Sequence, residues 1–215
     1  MTLALRLGLL ASMISALGAT VAVARVIGFA GVPVGGGTYD FTPMKTGPGE
    51  PGQWVVVEDP EASGGRAVVQ RSEDPTDSRF PILALIETAP ADVSVGTKIK
   101  LMSGRVDQAG GLVVRLRDAN TYYVVRANAL EGNVRFYKVT DGKREQLAGG
   151  DLPVTANAWH DLRLDAQGDR FTVSFDDREL FTAIDTSITA PGKVGFWTKA
   201  DSVTRFDALT VRALP

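Results

Sequence analysis

Cysteine is absent from this chain of 215 residues, and histidine occurs once, at His160. No disulfide framework, thiolate zinc site, iron–sulfur cluster or cysteine nucleophile is therefore open to it, and a multi-histidine metal centre is excluded as well. A positive excess is missing too. The chain carries 23 Lys and Arg against 25 Asp and Glu, which argues against a binder of nucleic acid or anionic lipid. There is no G-x-S-x-G elbow to pair with His160, so a Ser-His-Asp triad has no nucleophile. Helical periodicity is scarce: after position 54 no window of ten or more residues keeps a 3.6-residue repeat. What is present is 44% hydrophobic and 22% charged, globular values that suit one domain of about 150 to 200 residues with a real core.

The first 30 residues differ from the rest. No charge interrupts Leu7 to Ala24, the run follows Arg6, and it ends in the small residues Ala22-Val23-Ala24. That is the outline of a signal peptide cleaved after Ala24. The same 18 uncharged residues, at about 1.5 Å rise each, also span roughly the hydrocarbon thickness of a bilayer, so an uncleaved signal-anchor helix fits equally. Both readings carry the remainder out of the cytoplasm. Residues 31–53 are dense in Gly and Pro and read as a linker.

From Trp54 onward the repeat is two. Runs such as GLVVRLRD, TYYVVRANA, NVRFYKVT, WHDLRLDA, RFTVSFD and KVGFWTKA alternate apolar and polar positions. Between them stand Asp118-Ala119-Asn120, Glu131-Gly132-Asn133, Asp141-Gly142 and Asp176-Asp177, residues that tolerate left-handed backbone or cap themselves. About a dozen antiparallel strands in residues 54–215 predict an all-β, two-sheet sandwich or barrel. Alternation puts Leu112, Val114 and Leu116 on one face and Val113, Arg115 and Arg117 on the other; Val194 and Phe196 likewise oppose Gly195, Trp197 and Lys199.

The segments Asp107 to Ala148, Trp159 to Leu164 and Gly192 to Val211, with the phrases G-L-V-V-R, N-T-Y-Y-V-V-R and W-T-K-A-D-S, resemble the concanavalin A-like lectin/glucanase superfamily. Within it they are similar to secreted bacterial jelly-roll domains of the laminin-G and 3-keto-disaccharide hydrolase kind. The resemblance covers about Trp54 to Val211. It implies a two-sheet antiparallel jelly roll, here preceded by an apolar N-terminal helix, with a concave face that holds sugar in many relatives. Family 16 glycoside hydrolases of this fold need an E-x-D-x-E or E-x-D-x-x-E strand that aims two carboxylates at one bond. No such strand occurs, and no catalytic residue is assigned.

Arg115, Tyr123, Arg126, Asn128, Trp197 and Lys199 are the candidate binding residues. On a shared face, flat aromatics stack on sugar rings while Arg and Asn bond hydroxyls. The plainer reading makes them cross-strand pairs with solvated tips, and Arg126, Asn128, Glu131 and Asn133 the fixings of one hairpin. Asp201, Ser202 and Asp207 read as turn caps and not as a calcium loop, His160 as a surface histidine. No metal and no cofactor is expected. A spanning-length apolar segment, a Gly/Pro tether and a sandwich without a catalytic dyad together point to a non-catalytic scaffolding subunit of a membrane-associated complex, respiratory or photosynthetic, whose partners are membrane protein subunits. The alternative is a secreted carbohydrate-binding module whose partner is a glycan. Third is a glycoside-active enzyme whose acids converge from separate strands.

Overall fold

The computed structural model describes residues 23–215. The expected apolar helix falls in residues 1–22, outside the described residues. Sixteen strands form two antiparallel sheets, with one short 3-10 turn at Ser63–Gly65 and no α-helix among the described residues. None of the described residues forms a helix long and apolar enough to cross a membrane.

The strands are β1 (Arg25–Ile27), β2 (Phe41–Thr46), β3 (Trp54–Glu58), β4 (Arg66–Gln70), β5 (Phe80–Leu85), β6 (Val93–Ser103), β7 (Ala109–Asp118) and β8 (Thr121–Asn128). They continue as β9 (Asn133–Thr140), β10 (Lys143–Asp151), β11 (Trp159–Gln167), β12 (Arg170–Phe175), β13 (Arg178–Ile184), β14 (Lys193–Thr198), β15 (Val203–Phe206) and β16 (Leu209–Ala213). One sheet has nine strands, ordered β13-β12-β11-β6-β15-β4-β3, with β16 pairing both β6 and β1. The other has seven, ordered β10-β9-β8-β7-β14-β5-β2. The two-sheet sandwich expected from the period-two runs is the observed fold.

Between the sheets lies the main core, where Leu112, Val114, Tyr123, Val125, Phe136, Leu162, Leu164, Phe171, Phe196 and Phe206 meet. Alternation predicts a solvated outer face, yet the outer face of the seven-stranded sheet carries a second buried cluster of Phe80, Ile82, Val113, Tyr122, Val124, Tyr137 and Trp197. Leu116 belongs to this outer cluster and not with Leu112 and Val114. The cause is a bulge: the β7–β14 register shifts between Gly195 and Lys193, and Arg115 takes φ 50°, so the face of every later residue is exchanged.

The stretch 31–53 is more than a linker. Phe41–Thr46 is an edge strand paired to β5, where Pro43 is tolerated because its missing N–H faces no neighbour. Upstream of that stretch, β1 pairs with β16, and Ile27 and Phe29 are buried in the main core. Folded structure therefore begins well before Trp54.

Candidate functional site

The six candidate residues divide between two ends of the seven-stranded sheet. At one end, Arg115 is all but fully buried and donates to the backbone carbonyls of Ala91 (3.1 Å), Ile188 (2.8 Å) and Gly168 (2.7 Å), its guanidinium lying over the Phe171 ring. Tyr123 lies between the sheets against Phe136 and Phe171. Its hydroxyl donates to Asp185 at 2.5 Å and accepts from the Ile188 N–H at 3.0 Å. Burial, with the Asp185 contact second, pushes the Tyr123 phenol up. Neither residue has a free face to offer a ligand. The sequence suggests an outward arginine and a stacking tyrosine, but the bulge turns Arg115 inward and alternation puts Tyr123 in the core.

Arg126, Asn128 and Lys199 do come together, at the other end and on the outer face. Opposite Arg126 in register stands Gly111 of β7, where an added Cβ would clash with the Val125 carbonyl and crowd the Arg126 Cα and Cβ at 3.0 Å, so the missing side chain lets β8 and the arginine stem approach closely. The Arg126 guanidinium donates to Glu131 (2.7 Å), to the Tyr137 hydroxyl (3.1 Å) and to the Asn133 side-chain oxygen. Asn133 in turn donates to Glu131 at 3.1 Å. Asn128 donates to Asp107 at 2.7 Å while its oxygen caps the N–H groups of Leu130 and Glu131. Lys199 bridges Asp107 (2.7 Å) and Asp77 (2.8 Å). The hairpin-fixing role and the clustered polar face are thus one arrangement.

Trp197 is completely buried and cannot stack on a sugar. It lies beneath the Arg144 guanidinium, which covers the rings of Tyr137 (4.3 Å), Phe80 (5.1 Å) and Trp197 (5.9 Å). Arg144 Nη1 is buried there with no hydrogen-bond partner. The aromatic platform expected at Trp197 is present but capped by this arginine.

Electrostatics separate the two carboxylates of the cluster. Burial pushes the Asp107 carboxyl up, and Lys199 pulls it only part of the way back. For Glu131, partial burial works upward, but the Arg126 charge and the hydrogen bonds from Asn133 and Arg126 outweigh it and hold the group low. Lys199 is pulled down by burial, yet its bonds to Asp107 and Asp77 leave it raised. The Glu131 side chain is 46% exposed and that of Asp77 is 70% exposed. Acceptor oxygens therefore reach solvent above buried donors, and the charges nearly cancel. This is the chemistry of a site for hydroxyl groups: carboxylates accept from them and cations donate to their oxygens.

Supporting residues beyond the six hold this face in place. Fully buried Arg79 donates to the carbonyls of Glu50 (2.6 Å), Ala200 (2.6 Å) and Pro51 (3.0 Å) and to Ser72 Oγ (2.9 Å), tying down the loop that carries Asp77 and the turn that carries Lys199. Asp201 accepts from the N–H groups of Arg105, Val106 and Asp107, Ser202 from that of Ala109 and Asp207 from that of Ser63, so these side chains tether distant backbone segments instead of capping only their own turn. Only the E-G-N turn signal around Glu131 pointed to that residue from sequence; nothing local marks Arg79 or Asp107. His160 is buried, not a surface residue. Its ring nitrogens contact Asp176 (2.8 Å) and the Thr155 carbonyl (3.0 Å), and it stacks on Phe175.

Comparison with known proteins places this geometry. A levanase of Bacillus subtilis (strain 168) is 30% identical over 112 residues, which are 52% of this chain and 16% of the levanase. The chain thus spans about a sixth of that relative's length. Among solved structures, the carbohydrate-binding module CBM66 from Bacillus subtilis superposes with a TM-score of 0.63 at 23% identity, over 80% of this chain and 95% of that one. Domain 4 of AbnA, an extracellular arabinanase from Geobacillus stearothermophilus solved with arabinotriose, gives 0.57 at 14% identity, over 90% and 93%. A Bacillus licheniformis β-glucanase gives 0.58 at 12% identity, over 89% and 98%. These structures share the fold, in line with the lectin/glucanase resemblance. The family model described as the galactocerebrosidase C-terminal lectin domain matches residues 88–214, more than half of the sequence and all of the strands that build the polar cluster, and the chain belongs to that family.

Proposed function

We propose that this chain is a carbohydrate-binding module acting outside the cytoplasm, and that it takes a neutral sugar unit on the outer face of the seven-stranded sheet. The observation that carries the reading is the convergence of Arg126, Asn128, Glu131 and Asn133 from one hairpin with Asp107 and Lys199 from two other segments. Donors and acceptors alternate there with little net charge, which fits vicinal hydroxyls better than a carboxylate or phosphate ligand. The relatives support it: a lectin-domain family, a carbohydrate-binding module and a levanase. The signal-like run at Leu7 to Ala24 supports the location. The scaffolding role in a membrane complex draws no support from the fold or the relatives, and its anchoring helix falls outside the described residues.

Calorimetric titration with levan oligosaccharides, arabinotriose and a galactoside tests the proposal. Binding of at least one is expected. In Arg126→Ala the loss of charge-assisted donors, about 1.5–3 kcal/mol, weakens it about 10- to 150-fold. No binding to any of the three overturns the reading.

One observation favours a second reading. Asp107 and Glu131 come from separate connections, the β6–β7 loop and the β8–β9 turn, with their carboxyls pushed in opposite directions, the pattern that sorts an acid from a base in glycoside hydrolysis. Against it, Asp107 is buried behind Lys199, which occupies one of its oxygens. Release of reducing sugar from any of the three probes, abolished in Glu131→Gln, would establish the enzyme; its absence retires that reading.

A further inference from the structure

The outer face of the nine-stranded sheet has a hollow of about 370 Å³, within the size range of small-ligand sites. It arises where the sheet changes partners. Along one flank of β6, β15 pairs as far back as Ile99 and β16 takes over at Gly96. Between those points the Asp207 N–H reaches across to the Lys98 carbonyl, and the Thr97 hydroxyl donates to the Asp207 carbonyl at 3.5 Å. The other flank of the hollow is β11, with Ser174 and Asp177 behind it.

Gly96 forms part of the floor. It lies on an interior strand, in register with Arg163 on one side and Thr210 on the other. A Cβ added there would meet only the Leu162 carbonyl at 3.7 Å and the Arg163 stem at 3.9 Å, which is ordinary contact, and its φ is outside the left-handed region. Neither backbone shape nor crowding requires glycine. A glycine inside a strand weakens it, and one recurring reason for it is close approach of a ligand.

Exposed charged groups with free hydrogen-bonding capacity line the hollow as well. Asp161 and Lys98 are direct cross-strand partners of opposite charge, yet no ion pair joins them. Arg163 turns away to Ser174 and Asp165. The carboxylates of Asp161 and Asp177 accept no hydrogen bond and the Lys98 amine donates none among the described residues. Partial burial raises the Asp161 carboxyl; Lys98 opposes this, while Asp177 and Asp176 add to it.

From the hollow, the unforced glycine and the unpaired donors and acceptors, we infer a second binding site over Gly96 for a neutral hydroxylated ligand the size of a sugar unit. Asp161 and Asp177 accept from its hydroxyls and Lys98 donates to them. No aromatic face lines the hollow, so the site is weak, with Kd on the order of 1 mM. It opens on the side of the sandwich opposite the Arg126 cluster. One short glycan cannot reach both, so the two sites would hold two separate chains and the module would bridge them.

The test is a titration of ¹⁵N-labelled protein with arabinotriose and with levan oligosaccharides, in the wild type, Arg126→Ala and Gly96→Val, with Glu131→Gln as the alternative first-site variant should Arg126→Ala not fold. Saturable shifts of the Gly96, Lys98 and Ser174 amides are expected in the wild type and in the first-site variant. Gly96→Val should lose them, keep the shifts around Arg126 and melt no lower than the wild type. Absence of saturable shifts at Gly96 with both probes, or their survival in Gly96→Val, overturns the inference. Failure of the first-site reading is seen separately, as absence of shifts around Arg126 in the wild type.

Discussion

Arg115 and Arg126 stand on neighbouring strands of the same sheet, both nearly inaccessible, and their partners differ in kind. Arg115 donates its hydrogen bonds to three main-chain carbonyls from three segments, and its one carboxylate neighbour, half-exposed Asp92, stands at 3.6 Å, beyond hydrogen-bond distance. Arg126 bonds side chains: a carboxylate, an amide and a phenol. Carbonyls are fixed to the main chain, so an arginine that holds three of them from separate segments is a clamp on the chain. A carboxylate that is half exposed above its arginine can accept from a ligand as well. Partner chemistry, and not burial, distinguishes the chain-clamping arginine from the one proposed to hold a sugar. Arg79, bonded to three carbonyls, sorts with Arg115.

The largest expected effect breaks the comparison at its structural end. Arg115→Ala removes the donor from one buried and two part-buried carbonyls, at a cost of about 3 kcal/mol, which for this size lowers Tm by roughly 6–12 °C. Thermal unfolding checks that, and sugar affinity in the folded variant should stay within about twofold of the wild type. Arg126→Ala should reverse the pattern, with the affinity loss given above and a smaller fall in Tm. If the two variants behave alike in both measurements, partner chemistry is no guide to role. Tyr123→Phe comes next. It removes the hydroxyl shared by Asp185 and the Ile188 N–H, so urea unfolding should show about 1–3 kcal/mol lost with unchanged binding.

The smallest effect concerns the loop that Arg79 ties down. The Thr76 hydroxyl first, then the N–H groups of Glu50 and Thr76, hold the Asp74 carboxyl at about 2 against an ordinary 3.8. A depressed carboxyl stabilises the fold above its unfolded value and loses that contribution as pH falls through the folded one. The Tm gap between wild type and Asp74→Asn should therefore be full at neutral pH and close between about pH 4 and pH 2. A gap that is constant with pH would contradict the assigned bonds.

Legibility from sequence followed the physics of each region. The sandwich was readable because strands alternate with period two and their turns carry Asp, Asn and Gly. Face assignment failed after Arg115, since a one-residue bulge leaves no mark in hydropathy yet exchanges every later side chain. The outer cluster of Tyr122, Tyr137 and Trp197 was hidden for another reason: alternation tells two faces apart but not whether the second is covered. Strand β2 leaves no clear period-two signal because Gly and Pro crowd its flanks. In the candidate site, Arg126, Asn128 and Lys199 could be named from residue type and parity. Asp107 and Asp77 could not, because long-range contacts bring them to Lys199.

The central claim is that a sugar sits on the Arg126–Glu131 cluster. A crystal structure of the complex with whichever probe binds in calorimetry tests it most directly. The account predicts sugar hydroxyls within hydrogen-bond distance of Glu131 and Lys199 on the outer face of the seven-stranded sheet. A sugar seated elsewhere, with every bond of that cluster intact and no hydroxyl near it, would contradict it.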